Sequence, residues 1–185
     1  MTILIIILVL VGGALVVLYN RLVRRRNRVD TAWSDVDVQL QRRHDLIPRL
    51  VSSVDAYAKY ERATLEAVTE LRSEAMRVTD LDARGKAEEE LSTGVQRLIA
   101  LAESYPDLKA NENFLNLQNE LVETENYLQF ARRYYNGSVR DYNTMTETVP
   151  SNIVAGIFNF DARNFFQKSS DDAASVPLVN LGSVE

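Results

Sequence analysis

The chain has 185 residues, 46% of them hydrophobic, with 26 acidic against 21 basic residues and a net charge of −5. It holds no cysteine and one histidine, which excludes disulfides, thiolate metal sites and a cysteine nucleophile. Every Asp and Glu lies beyond residue 29, and without the five N-terminal arginines the body carries 16 basic against 26 acidic residues, a balance that argues against nucleic acid as a partner.

Thr2 to Tyr19 contains no charge, and Arg21, Arg24, Arg25, Arg26 and Arg28 follow at once. At 1.5 Å per residue, a helix of this run spans about 27 Å, close to the hydrocarbon thickness of a bilayer. No basic residue precedes the run and no small-residue cleavage site follows it, unlike a secretory signal. Residues 1–19 are therefore expected to be a transmembrane anchor. Residues 20–28 form a basic collar, whose five arginines are expected to contact anionic lipid headgroups. Basic residues on the C-terminal flank alone place the N-terminus outside the plasma (inner) membrane and the rest in the cytoplasm. Gly12-Gly13 lies within the span, where it lets another span approach closely.

From Val29, apolar residues recur at steps of four and three: Trp33, Val36, Leu40, then Ile47, Leu50, Val54, Tyr57, Val68 and Leu71. Arg43, Glu61 and Thr64 interrupt this coiled-coil-like seam, which predicts a first long helix running straight out of the bilayer. Pro48 predicts a kink near His44 to Pro48, with Asp45 capping the restarted helix. A break is expected around Arg77 to Gly85. The second helix carries Leu91, Val95, Leu98, Ala102 and Tyr105 and stops at Pro106, with Glu88, Glu89 and Glu90 in its first turns against the helix dipole. The third restarts near Asn111, keeps a stripe from Phe114 to Met145, and ends at Val149-Pro150. Ser151 or Asn152 then caps a short helix from Ile153 to about Phe158. The fold class is all-α: a transmembrane helix, then an elongated antiparallel bundle of three long helices and a short fourth over residues 29–166. Residues 167–185, rich in Ser, Asp and Ala, are expected to be loosely ordered.

Sites for chemistry are scarce. His44 stands beside Arg42, Arg43 and Asp45 and reads as a solvated histidine; the paired Glu-x-x-His ligands of di-iron bundles are absent. Glu88 to Glu90 read as a solvated first turn, and no nucleophile elbow occurs. The chain is expected to be no enzyme and to need no cofactor or metal. Polar residues on or near the third helix's stripe stand out: Asn126, Arg132, Arg133, Tyr134, Tyr135, Asn136, Tyr142 and Asn143. They read either as register determinants or as a surface for self-association, with Tyr134, Tyr135, Asn136, Tyr142 and Asn143 the candidates for the latter.

Several strings carry a family resemblance. Tyr19-Asn20-x-Leu22-Val23 is followed by Ala32-Trp33-Ser34-Asp35-Val36-Asp37-Val38-Gln39-Leu40 and by Arg42-Arg43-x-Asp45-Leu46-Ile47-Pro48. Tyr105-Pro106-Asp107-Leu108-Lys109-Ala110-Asn111-x-Asn113-Phe114, Thr124-Glu125-Asn126, Tyr135-Asn136, Tyr142-Asn143 and Pro150-Ser151-Asn152 complete the set. The pattern, to about Phe166, resembles the LemA family. The resemblance implies a bacterial single-span protein with a helical bundle and no established enzymatic activity. It also implies relatives in magnetosome membrane formation, and others linked to envelope stress or membrane-protein quality control. Two departures stand out. Leu18 occupies the place of a lipoprotein cysteine found in some relatives, and Phe158-Asn159-Phe160 replaces the usual Phe-Gly-Phe, leaving the turn there open.

The expected function is a membrane-anchored, homo-oligomeric scaffold that organises or remodels the bilayer. The alternative is an adaptor that presents the bundle to a membrane protease or signalling protein.

Overall fold

One helix of 54 residues, α1 (Thr2–Asp55), runs unbroken from the apolar N-terminal segment into the bundle. The computed structural model describes residues 1–58 and 61–166. The tail of residues 167–185, expected to be loosely ordered, lies outside the described residues. Among the described residues, α1 is followed by α2 (Arg62–Arg77), α3 (Leu81–Ala102), α4 (Pro106–Lys109), α5 (Glu112–Glu147) and α6 (Ser151–Ile157), with no strand. The all-α class holds.

The N-terminal part of α1 is long and apolar enough to cross a membrane, and its side chains are exposed. Burial begins at Leu22 and recurs at Val29, Ala32, Val36, Leu40, Ile47, Leu50 and Val54. This stripe packs chiefly on α5, whose 36 residues span about 54 Å, the reach of α1 from residue 20 to its end. Cross-pairs show the direction. Arg25 meets Asp141 at 2.6 Å, Arg42 meets Glu123 at 3.2 Å and Arg49 meets Glu120 at 3.2 Å, so the two helices are antiparallel. Exposed pairs of this kind contribute little energy and serve mainly to report the register.

The seam read as one helix from Val29 to Leu71 divides in two. Here α1 ends at Asp55, and α2 packs back between α1 and α3, so the bundle has four long helices. No Gly or Pro marks that turn. The break comes from packing: only a reversal lets Leu65, Val68 and Ala75 join the core around Leu50, Val54, Leu91 and Leu98. The closeness of α2 and α3 rests on Gly94, where an added Cβ would stand 2.9 Å from Leu71 Cδ1.

Pro48 does not restart the helix, and Asp45 caps nothing; its carboxylate accepts a hydrogen bond from Gln41 Nε2 at 2.8 Å. A proline at position 48 removes the donor that would have served the carbonyl four residues earlier, at His44. Arg72 of α2 replaces it, its Nε donating to His44 O at 2.7 Å. A guanidinium from the neighbouring helix thus completes the backbone of α1.

The second break is narrower than expected, from Val78 to Asp80. Asp80 caps α3 by accepting from the Ala83 amide at 2.9 Å, and Gly85 lies inside the helix. Pro106 opens α4 rather than merely closing α3, and Leu108 is fully buried. Asn111 caps α5, accepting from the amides of Asn113 and Phe114. α6 begins at Ser151 with Pro150 as its cap residue, two residues earlier than read from the sequence. It closes with the Phe160 amide bonding to Ala155 O while Asn159 takes φ 54°. That is a left-handed helix stop, which asparagine tolerates nearly as well as glycine, so Asn159 keeps the turn that Phe-Gly-Phe would make.

The buried side chains form two clusters along the rod. The distal one joins the end of α1 to α2, α3, α4 and the start of α5. The proximal one joins Leu22 to Leu40 of α1 with Leu128, Tyr135, Val139 and Tyr142 of α5, α6, Phe160 and Phe166. Replacing Arg72 by Leu is expected to destabilise the full chain by about 1–3 kcal/mol, the cost of an unsatisfied buried carbonyl. Pro48→Ala restores the missing amide and should stabilise the Arg72→Leu variant more than the wild type. Denaturant unfolding of the four proteins in detergent measures that coupling.

Candidate functional site

Two interruptions of two apolar seams meet in the middle of the bundle. Arg43 breaks the stripe of α1, and Glu88 stands in the stripe that continues as Leu91, Leu98 and Ala102 of α3. Arg43 is 4% exposed and Glu88 is fully buried, as is the neighbouring His44. The Arg43 guanidinium donates to the Glu88 carboxylate and to Glu88 O at 3.1 Å, and it reaches Ser92 Oγ at 2.7 Å and Glu125 Oε2 at 3.3 Å. His44 Nε2 lies 2.9 Å from Glu88 Oε1. The expectation of a solvated His44 and a solvated Glu88 is corrected: α3 starts at Leu81, so Glu88 falls two turns in, on the inward face. Burial pushes the Glu88 carboxyl up, but the hydrogen bond from His44 and the charges of Arg43 and His44 outweigh it, and the net shift is downward. Among the described residues, no three His, Asp or Glu side chains are grouped so as to hold a metal ion.

The tyrosines and asparagines of α5 are arranged in relation to the chain's own C-terminal segment. Asn136 exchanges two hydrogen bonds with the backbone of Phe166, at 3.0 and 2.9 Å, and Asn143 exchanges two with Arg163, both at 2.9 Å. Tyr135 and Tyr142 donate their hydroxyls to Asn164 O and Asp161 O at 2.9 and 3.0 Å. The spacing has a simple origin. Seven residues of helix and three of extended chain both advance about 10 Å, so a Tyr-Asn pair repeated every seven residues meets every third residue of a strand. Burial pushes both phenols above their ordinary values, against the opposing charge of Arg163, so they remain donors at neutral pH. Phe166 is thereby held against Trp33 (5.4 Å between rings) and under Arg132 (4.9 Å). Of the five residues considered for self-association, Tyr135 and Tyr142 are buried, Asn136 and Asn143 are half-buried, and Tyr134 is exposed. Tyr134 continues a stripe with Tyr127 and Phe130, also exposed, on the outer face of α5.

The basic collar is sorted by helix face. Arg21, Arg24, Arg25 and Arg28 line a cleft of about 650 Å³ with Leu18 of α1, Met145 of α5 and the start of α6. Arg25 is tied to Asp141, and Arg26 lies over the Phe160 ring at 5.3 Å. Guanidinium groups on one face of a helix suit the paired oxygens of a phosphate.

A family model described as the LemA family matches residues 32–181 of this chain. The chain belongs to the LemA family. Protein LemA of Metamycoplasma hominis is 25% identical, the match covering 88% of this chain and 74% of that protein. Magnetosome protein MamQ 2 of Paramagnetospirillum magneticum is 23% identical over 90% of this chain and 70% of its own length. Magnetosome protein MamQ of Magnetospirillum gryphiswaldense is 22% identical, over 87% and 68% respectively.

This LemA-family chain is expected to lose about 3–5 kcal/mol when Glu88 becomes Ala, because Arg43 is then buried without its main counter-charge. The folded-state value of Glu88 is depressed, so its contribution is complete above about pH 4.3 and is lost as pH falls through the lower folded value. Glu88→Gln should flatten the pH dependence of unfolding in that acidic window alone, as thermal melts of the full chain in detergent will show. Asn143→Ala should raise the hydrogen-exchange rate of the Arg163 amide while leaving amides in the distal cluster protected.

Proposed function

We propose that this protein is a non-enzymatic, membrane-anchored helical scaffold that associates with copies of itself at the cytoplasmic face of the bacterial plasma membrane. The observation that carries the proposal is the outer stripe of α5. Tyr127, Phe130 and Tyr134 recur at helical spacing, and each is about half or more exposed. Aromatic side chains so placed bury large area at low entropic cost when a second protein covers them. The other tyrosines and asparagines of α5 face inward to the C-terminal segment, which leaves this stripe as the self-association surface.

The apolar start of α1 is the anchor in this reading. The arginines on its C-terminal flank orient it with the bundle inside the cell, and their cleft takes anionic headgroups. Because α1 is one unbroken helix, lateral contacts between bundles fix the spacing and tilt of the anchors, and an array of such rods organises the bilayer with no turnover.

Mass measurement of the complex extracted from native membranes should find a homo-oligomer for the wild type. The Tyr127→Ser/Phe130→Ser/Tyr134→Ser variant, altered only at exposed positions, should be monomeric with an unchanged melting temperature. A wild type that is monomeric at every concentration, in detergent and in vesicles, overturns self-assembly. A defined foreign protein in place of further copies would instead support an adaptor for a membrane protease or signalling protein.

A further inference from the structure

Helix α6 is apolar on two sides. Val154 and Ala155 face inward and are buried in the proximal cluster. Val149, just before the helix, and Ile153, Ile157 and Phe158 are 77, 57, 64 and 54% exposed. From Val149 to Phe160 the chain carries no charged residue. A surface helix with one apolar face in the core normally turns charged or polar residues outward. α6 does not, which requires a second apolar environment.

Its position says which one. The Phe158 and Phe160 rings pack edge-on against Tyr19, at 4.8 and 5.7 Å between centroids. Tyr19 closes the uncharged run of α1, and Pro150 and Ser151 share the cleft with the collar arginines. The exposed face of α6 is therefore continuous with the exposed apolar surface of α1 and is bordered by basic groups. We propose that α6 is an interfacial foot, inserting Val149, Ile153, Ile157 and Phe158 at the headgroup–acyl boundary of the leaflet where the α1 span ends. The inference rests on the reading of α1 as a membrane anchor. Eighteen uncharged residues reach only about 27 Å, slightly less than the hydrocarbon core. The foot widens the apolar belt at its short end, and as a second contact beside the rod it limits tilt and rotation about the α1 axis. A second copy of the chain is the competing occupant. It is disfavoured because a partner seated on α6 would crowd both the span and the headgroup layer.

The chain lacks cysteine, so single-cysteine variants of the full chain can each carry one nitroxide. Reconstituted in vesicles of phosphatidylglycerol and phosphatidylcholine, labels at Ile153→Cys and Ile157→Cys should be accessible to oxygen and protected from an aqueous nickel chelate. A label at Leu8→Cys should lie deeper by the same ratio, and one at Val122→Cys should be open to the chelate. Labels on α6 open to the chelate while Leu8 remains in lipid would overturn the foot and leave the anchor standing. Labels shielded from both reagents would place α6 against protein and overturn it equally. A Leu8 label open to the chelate would remove the anchor, and the foot with it.

Discussion

An α-helix transmits direction along its whole length, and in this protein one helix of 54 residues carries both the apolar N-terminal segment and a face of each core. No flexible joint separates the two parts, so the bundle is oriented by whatever holds the first eighteen residues. The weak point of such a rod is Pro48, which lacks a hydrogen-bond donor in mid-helix. Arg72 supplies the donor from α2. Continuity of the rod is thus a tertiary property as much as a local one, because a side chain from another helix completes its backbone.

The buried charges divide the bundle into two packed units. Arg43, His44 and Glu88 lie between the distal and proximal clusters, with Ser92 and Glu125 at their margin. Apolar seams of period 3.5 can slide by a heptad with little change in burial. A guanidinium that must meet one carboxylate cannot, because slippage would strand both charges out of water. The same logic governs the clamp on the C-terminal segment, where two asparagines satisfy both backbone groups of Phe166 and of Arg163.

These devices place the parts that act at a surface. The clamp draws the chain back along α5 after α6, which keeps α6 beside Tyr19 and the collar. Inward use of Tyr135, Asn136, Tyr142 and Asn143 leaves Tyr127, Phe130 and Tyr134 outward on the same helix. The division of labour follows from helical phase. Residues 135 and 142 repeat on one side, residues 127 and 134 repeat on the other, and neighbours in sequence point about 100° apart.

The apolar run, its arginines, the all-helical class and the family membership were legible in the residues themselves, because hydrophobic period and charge order are local properties of a chain. The stops near Arg77, Pro106, Asn111 and Pro150 were legible for the same reason, through Pro, Asp and Asn. The reversal between Asp55 and Arg62 was not, since it has no Gly or Pro and the heptad spacing runs through it; only burial against α1 and α3 decides it. The burial of His44 and Glu88 left a trace in hindsight, because Arg43 and Glu88 each occupy an apolar register position. Their pairing still required knowing that α3 starts at Leu81. Sequence alone thus determined what each segment is: span, collar, helix or cap. Tertiary structure decided what each polar residue is for, because a buried amide or charge takes its meaning from the partner that desolvation forces on it.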